Sequence, residues 1–374
     1  MSTTNYDAFD LRAITTGGQI NEAVLQRIMD ASPIDTPFMS SIGKSSVDNS
    51  QFSWTLDRLL APITSGQVID GAAAGANAAK SGIRIWGATE IRQADVIVST
   101  RAQAVNTIGF AKSLVYQIQQ RGKEMKRNVE ATLLSNNPGA AGTSSAAGTS
   151  PGLVASLTPF TLVPGAPGSA ATWATANSNV ISAGSVASTG GGYQGATGTP
   201  PLPVSRVFTT TVAAGIAEID IRTVAAQLYV NGYDPSKLMA RPAVIATISA
   251  YMFTSSARIA TQLTDQGAKA RKAIGATNEF LMDFGTTLTF VANRQQQVSY
   301  IGGGAGTTPC DTAFIYDPSA CDMVELTPMR SIEQPITGLQ YMQELQWDYG
   351  LRLLDPHGVG AVVDVLATAA MTAT

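Results

Sequence analysis

Residues 111–135, AKSLVYQIQQRGKEMKRNVEATLLS, carry the clearest helical pattern in the sequence. Apolar or small residues recur at steps of three and four positions, at Val115, Ile118, Gly122, Met125, Val129 and Leu133. Residues spaced in this way share one face of a helix, and Gln, Lys, Arg and Glu fill the other face. The stop signal Asn136-Asn137-Pro138-Gly139 follows. The pattern therefore predicts a helical rod about 37 Å long.

A second long element lies near the C-terminus, where apolar and polar residues alternate over residues 341–353. One face holds Tyr341, Leu345, Trp347, Tyr349, Leu351 and Leu353, with Gln343 as the exception, and the other holds Met342, Glu344, Gln346, Asp348 and Arg352. A period of two predicts a strand, which spans about 43 Å at the usual rise per residue. A helix and a strand of similar length predict a flat plate rather than a ball.

The N-terminal part is interpreted as an arm followed by a long hairpin. Residues 21–31 carry a short helical stripe, and the Pro-rich segment 32–38 is extended or turning because a residue before proline avoids the helical region. Residues 52–56 alternate as a strand, and Ile83 and Ile85 indicate the return strand. The tip between them is rich in Gly and Ala. Because an isolated two-stranded hairpin is marginal in water, we expect it to lie on another subunit.

Charged residues are absent between Glu130 and Arg206. The stretch is rich in Gly and Pro, which argues against continuous secondary structure, yet it contains large apolar residues such as Trp173 and Tyr193. A free disordered linker is usually charged or strongly polar. We therefore interpret the stretch as ordered loop and short strand packed on protein surface, in part an insertion.

The remainder of the chain predicts mixed α and β structure. A helical stripe over residues 221–228 is closed by Gly232, and Pro242 is suited to the first turn of the next helix. Strands are predicted at 288–291, 313–316 and 323–326.

The composition excludes several classes of function. Charged residues make up 14% of the 374 residues, against about 25% in a typical soluble domain, while the 44% of hydrophobic residues allow a sizeable core. The net charge of −3 excludes a nucleic-acid binder that works by bulk charge. We see no signal peptide and no apolar run as long as a membrane helix, so we expect a protein made in the cytosol.

One histidine and two cysteines exclude most metal sites and Cys/His chemistry. For Cys310 and Cys321 a disulfide is one reading, and two unpaired thiols in a reducing cytosol are the favoured one. His357 stands in a turn, apart from any nucleophile motif, which favours a structural role. The Gly-rich runs at 190–192 and 302–306 lack phosphate-loop spacing and indicate flexible loops.

Clusters of charge also have structural explanations. Asp317 and Asp322 have no special spacing, and we interpret them as solvated surface. The basic cluster at 121–127 could contact phosphate, but it lacks interleaved aromatic residues. Ion pairing is favoured, with Glu130 four positions after Lys126. We therefore predict no catalytic, cofactor-binding or metal-ligating residue, no cofactor, and no enzymatic activity.

The order of these parts resembles the major capsid proteins of tailed double-stranded DNA bacteriophages, which have the Hong Kong 97 fold. Residues 30–38 contain PIDTPF, similar to a stretch near the N-terminus of one branch of this family. Residues 122–136 resemble the family's spine helix, of the type GKELKRDIEAALLSN. Less specific similarities lie at Phe284-Gly285, at residues 314–318, and near Gln346 and His357-Gly358. The resemblance covers most of the chain.

The resemblance implies an α+β, Hong Kong 97-type capsid fold with an N-arm, an extended β-hairpin loop, a long spine helix, and peripheral and axial domains. The expected bounds are 1–45 for the arm, 46–95 for the extended loop, 96–139 and 318–374 for the peripheral domain with its spine helix and long strand, and 140–317 for the axial domain. The uncharged, Gly/Ala/Ser/Thr-rich insertion at 140–205 is longer than the family's connection requires. We expect no long N-terminal prodomain.

The resemblance further implies a shell protein that assembles into an icosahedral head around double-stranded DNA, in the host cytoplasm, and stays in the virion. The expected partners are further copies in hexamers and pentamers, a portal, a separate scaffolding protein, optional cement or decoration proteins, and DNA by weak non-specific contact, with no membrane. Lys80 lacks an identified Asn partner for cross-linking. Two alternatives stay open: an encapsulin-type compartment, and a surface-layer or adhesin-like protein.

Overall fold

The structure is a computed structural model that describes residues 35–57, 64, 66–73, 83–105, 112–135, 137, 139–157, 194–195, 206–209, 215–254, 279–296, 299–301, 308–336, 338–366 and 371. The predicted helix at 21–31, Lys80 and the glycine runs at 190–192 and 302–306 lie outside these described residues.

Helices and strands are mixed along the chain. The helices are α1 (Pro37–Ser41), α2 (Thr100–Ala104), α3 (Ser113–Leu133), α4 (Leu153–Ser156), α5 (Glu218–Val230) and α6 (Pro242–Thr254). The strands are β1 (Gly43–Ser46), β2 (Gln51–Leu56), β3 (Ile83–Ala88), β4 (Glu90–Ser99), β5 (Gln194–Gly195), β6 (Arg206–Thr209), β7 (Lys237–Ala240), β8 (Glu279–Leu281), β9 (Thr287–Ala292), β10 (Ser299–Ile301), β11 (Thr308–Tyr316), β12 (Cys321–Glu333), β13 (Gln340–Leu353) and β14 (Val359–Val365). The predicted long helix and long strand are confirmed as α3 and β13.

The long strand β13 belongs to a sheet that we call sheet I, and the long helix α3 packs on that sheet. Its four strands lie in the order β1-β12-β13-β4, with β12, β13 and β4 antiparallel and β1 parallel to β12. Helix α3 packs across β4 and β13, and its Val129 and Leu133 share one core with Leu345 and Trp347. Val115 was assigned to the same buried face but is about half exposed. The core therefore covers the C-terminal half of α3 and leaves its first turns open.

The second face of sheet I is covered at one end, which the sequence did not predict. Asp348 was assigned to the polar face of β13 but is buried, and this burial raises its pKa. Phe52 of β2 packs over the neighbouring Gly350, where a Cβ would lie 3.1 Å from Phe52 Cε1, Ala88 O and Val324 Cγ2. The end of the antiparallel hairpin β2–β3 that holds Phe52 and Ala88 therefore packs on sheet I.

Gly350→Val is expected to lower the free energy of unfolding by about 1–3 kcal/mol, because the site has no room for a side chain. Urea unfolding followed by circular dichroism measures the change. Gly122→Ala in α3 is the matched control, since its Cβ would meet only Met329 Cε at 3.9 Å. Alanine is the better helix former by about 0.8–1 kcal/mol, so this variant should be slightly more stable. Equal losses in both variants would contradict the close packing at Gly350.

Sheet II has seven strands, in the order β6-β14-β11-β7-β9-β8, with β10 paired to β11. Helix α5 packs against β14, β6 and β11, and α6 against β9. Leu228, Ile315 and Val362 lie in their common core. The predicted helix start at Pro242 is confirmed. Gly232 ends α5 as predicted, with a φ of +94 that favours glycine.

The chain passes between the two sheets through two short 3-10 turns. Pro318–Ala320 leads from β11 of sheet II to β12 of sheet I, and Pro356–Gly358 leads from β13 back to β14. The Asp317 N–H donates to Gly358 O over 3.0 Å, so the two crossings lie side by side. The sheets are therefore joined through adjacent turns.

The uncharged stretch contributes structure where it is described. Ala140 and Thr149 form an isolated antiparallel bridge, and Leu153 and Leu157 are fully buried in the core of sheet I. Strand β5 adds to β3 and makes a three-stranded sheet with the hairpin. Ordered loop and short strand are confirmed for these parts, and residues 158–193 and 196–205 lie outside the described chain.

The predicted division into arm, loop and two domains stays a prediction. Two strands bear on its boundaries. Strand β4 runs across position 95, the expected end of the extended loop, and stays in sheet I throughout. Strand β14 lies within the segment 318–374 assigned to the peripheral domain, yet it pairs with β11 and β6 of sheet II.

Candidate functional site: the seat of residues 35–46

Residues 35–46, which we call the arm segment, contact both sheets. Phe38 is fully buried and meets the ring of Tyr316 in β11 edge-on, with centroids 5.7 Å apart. Ser41 Oγ and Tyr316 Oη share a hydrogen bond of 2.9 Å. Pro37 occupies the first turn of α1, where its fixed φ suits a helix start. Apolar burial and a hydroxyl pair thus hold the arm segment against sheet II.

A carboxyl group from α3 holds the start of α1. Glu130 Oε1 accepts a hydrogen bond from the Phe38 N–H (2.8 Å), and Oε2 accepts one from the Met39 N–H (2.9 Å). Asn293 Nδ2, just after β9, donates to Oε1 over 2.7 Å. A carboxylate suits a helix start, where backbone N–H groups lack partners within the helix. Burial raises the pKa of Glu130, and the three donated bonds oppose that rise.

This geometry corrects a sequence interpretation. Glu130 was expected to pair with Lys126 on the exposed face of α3, but its side chain is completely buried. Ion pairing elsewhere in the basic cluster is confirmed, since Arg121 Nη1 lies 2.6 Å from Glu124 Oε2. The cluster therefore has a partner on its own helix one turn away.

Strand β1 is held by a second polar group. Arg352 makes a close ion pair with the buried Asp322 and donates to Ser45 Oγ over 3.0 Å. The Ser45 hydroxyl donates to Asp322 Oδ2 over 2.6 Å. The interpretation of Asp322 as solvated surface is therefore wrong. Its carboxylate connects β1, β12 and β13, because residues on neighbouring strands face each other across the sheet.

Ser45→Ala is expected to lower the free energy of unfolding by about 0.5–1.5 kcal/mol, the usual net worth of a hydrogen bond. It should also speed amide hydrogen exchange in β1, which lies at the sheet edge. Exchange mass spectrometry measures this effect. Ser46→Ala is the control, because Ser46 is exposed on the same strand. Faster exchange in both variants would contradict the role of the Ser45 hydroxyl.

The remaining sequence candidates, His357 and Cys321, make none of the hydrogen bonds described above for the arm segment. His357 lies in the turn Pro356–Gly358, as predicted, with Nδ1 2.8 Å from Asp355 Oδ1. Asp355 also accepts a hydrogen bond from the Tyr233 hydroxyl. Cys321 is a free, buried thiol, whose pKa is raised by burial, so it is unpaired as favoured. The Cys310 side chain lies outside the described residues.

Sequence reasoning missed Glu130 and Asn293 as parts of one site. A signal for Glu130 existed, because Leu133 and Leu134 follow it by three and four positions and lie on the same helix face. For Asn293 no local signal exists, since 163 positions separate it from Glu130. Such a contact depends on how sheet II meets α3.

Some large apolar side chains remain uncovered in the structure. Val68 and Ile69, in the loop between β2 and β3, are 84% and 85% exposed. Large contiguous patches of exposed apolar surface mark sites that meet another molecule, and this adjacent pair contributes apolar surface to such a patch. No helix among the described residues is long and apolar enough to cross a membrane. The described part of the chain also contains no group of three or more His, Cys, Asp or Glu side chains placed to hold a metal ion.

A long helix packed on a long-stranded sheet, a second α/β layer, a buried arm segment and a hairpin are the parts expected of the Hong Kong 97-type capsid fold. Solved structures share this fold. The capsid of the empty GTA particle superposes with a TM-score of 0.58 at 12% identity, covering 95% of this chain and 98% of that one. The holo-SrpI encapsulin from Synechococcus elongatus PCC 7942 gives 0.51 at 10% identity, covering 96% and 98%.

The chain belongs to the SU10 major capsid protein family, whose model matches residues 2–366. A relative named major capsid protein, from Escherichia phage Phieco32, is 36% identical over 104 residues. That match covers 28% of this chain and 30% of the relative's length. The resemblance to phage capsid proteins and the predicted fold are thus confirmed.

Proposed function

We propose that this chain is the subunit of an icosahedral shell that encloses a phage's double-stranded DNA. The uncovered pair Val68 and Ile69 carries the proposal, together with the family. An apolar loop at the end of a hairpin loses its contact with water only when another molecule covers it. In a shell that molecule is the next copy of the same chain.

The geometry suits tiling. A subunit of the flat shape predicted from the long helix and long strand would offer edges that form heterologous contacts, and such contacts close into rings when the rotation closes. We propose hexamers and pentamers as those rings. The neutral stretch and the hairpin tip provide surface that costs little to desolvate, because interface cores are poor in charge. The acidic net charge of −3 limits attraction to phosphates, so packaged DNA is contacted only weakly.

We infer further partners from the family alone. These are a portal, a separate scaffolding protein, and optional cement proteins on the outer surface. The extended loop at 46–95 is proposed to lie on a neighbouring subunit. The insertion at 140–205, whose described parts join the core of sheet I and the hairpin, is proposed to add a layer to the subunit. Assembly is proposed to occur in the host cytoplasm, with the protein remaining in the virion. It is proposed to act structurally and without catalysis.

Electron microscopy of the purified chain, with and without a scaffolding protein, tests the assembly. We expect closed particles of uniform diameter whose mass is accounted for by this chain. A monomer that persists at high concentration under both conditions would contradict the proposal.

An encapsulin-type compartment is the second candidate, favoured by the shared fold with the SrpI encapsulin. The contents of particles purified from the native source separate the two. Nuclease-protected DNA of uniform length supports the phage head, and a protein cargo supports the compartment. The family match weighs against a surface-layer protein.

A further inference from the structure

The Glu130 carboxyl group receives hydrogen bonds from two separate parts of the fold. Two donors are the backbone N–H groups of Phe38 and Met39, at the start of α1. The third is the side-chain amide of Asn293, from the segment that follows β9 in sheet II. Glu130 itself belongs to α3, which packs on sheet I. One buried carboxyl group thus connects the arm segment, helix α3 on sheet I, and sheet II.

The amide of Asn293 is fixed to sheet II. The side-chain Oδ1 accepts a hydrogen bond from the Gln295 backbone N–H (2.8 Å). The backbone N–H of Asn293 donates to Ala240 O in β7 (3.0 Å). The residue is completely buried. A shift of sheet II relative to α3 therefore carries Nδ2 with it and changes its distance to Glu130.

The arm segment meets sheet II a second time, at Tyr316. Phe38 packs on this ring and Ser41 bonds its hydroxyl. Tyr316 is the last residue of β11, directly before the crossing to sheet I. The contact of the arm segment with Tyr316 therefore lies beside the two turns that join the sheets.

We propose that Glu130 couples the seating of the arm segment to the position of sheet II relative to α3. When Asn293 withdraws, Oε1 keeps only the Phe38 N–H, and the buried carboxyl group loses one of its three donors in a place where water does not replace it, which is costly. The two remaining bonds then hold a carboxyl group that is less well solvated, so the arm is released more easily. Coupling of this kind is reciprocal. It acts within one chain and stands independently of shell assembly.

Asn293→Asp tests the coupling from the side of sheet II. The substitution keeps the shape and the acceptor for Gln295 but replaces the donor with a second carboxylate. We expect amide exchange of the peptide covering residues 36–42 to accelerate by about tenfold or more, the equivalent of one charged hydrogen bond. Gln296→Glu is the matched control. It adds the same charge to the same segment, but at a side chain whose Nε2 bonds Thr312 O in β11.

Exchange mass spectrometry on the full chain, below its assembly concentration, provides the measurement. Acceleration of the arm peptide in Asn293→Asp but not in Gln296→Glu supports the coupling. An unchanged arm peptide in Asn293→Asp, or equal acceleration in both variants, overturns it.

Phe38→Leu tests the reciprocal direction from the arm segment and leaves Glu130 and Asn293 unchanged, so it serves where Asn293→Asp does not fold. The smaller side chain loosens α1 on Glu130. We expect faster exchange in the peptide covering residues 290–296, and unchanged exchange in that peptide when Ser40, exposed on α1, is replaced by Ala. No difference between Phe38→Leu and the parent chain in residues 290–296 overturns the proposal.

Discussion

Replacing Glu130 by alanine is expected to lower the free energy of unfolding by about 3–5 kcal/mol. The substitution removes a buried acceptor from three donors, on Phe38, Met39 and Asn293, and each lost partner costs about 1–3 kcal/mol. Partial relaxation of α1 toward solvent reduces the sum. Because the stability of a whole domain is only about 5–15 kcal/mol, we expect the loss to appear directly in urea unfolding of the unassembled chain.

Two further variants separate the role of the carboxyl group from a general effect on α3. Glu124→Ala removes an acid from the same helix, but its pair with Arg121 is half exposed, and exposed pairs contribute at most about 1 kcal/mol. Glu130→Gln keeps one acceptor oxygen and turns an N–H toward one of the donors, so its stability should lie between the other two. A Glu130→Ala chain as stable as Glu124→Ala would show that the arm start is satisfied in another way.

The long elements could be predicted because their patterns are local. The apolar spacing along α3 and the alternation along β13 are complete within each segment, and burial of Val129, Leu345 and Trp347 follows from them. Errors arose where another segment covers the surface. Asp348 alternates as a solvent-facing residue should, but it is buried beside Gly350, over which Phe52 of the hairpin packs, and its carboxyl group bonds Thr89. No pattern within β13 contains that information.

The hydrogen bonds that hold the arm segment were not predicted from the sequence, for a related physical reason. Polar residue types were assigned to solvated faces, yet buried acids in this chain serve as acceptors for backbone N–H groups that lack strand or helix partners. Glu130 accepts from α1, Asp220 from Ala217, and Glu90 from Ser150. Such charge-assisted bonds are stronger than neutral ones. A low content of charged residues therefore does not mean that the acidic side chains lie on the protein surface.

Changing Val68 and Ile69 together to aspartate is expected to abolish particle formation while leaving the fold of the subunit intact. Both side chains are more than four-fifths exposed, so their replacement removes little contact within the chain. Two buried charges at an interface without partners are strongly unfavourable, and a shell repeats the contact at every subunit. We expect free subunits in place of particles by sedimentation and electron microscopy, with an unchanged circular dichroism spectrum and urea midpoint.

Two controls distinguish loss of apolar contact from a general effect of the loop. The exchange Val68→Ile with Ile69→Val keeps the apolar area and should assemble normally. Gln67→Glu adds a charge at the neighbouring exposed position without removing an apolar side chain, and it should slow assembly only slightly, with the effect weakening as salt rises. Particles that form with two aspartates at normal yield would mean that the loop lies uncovered in the shell. The repeated apolar contact would then have to be sought on another exposed surface. The exposed side chains of Ile91 and Ile97 on β4, the last strand in the described order of sheet I, are the next to alter.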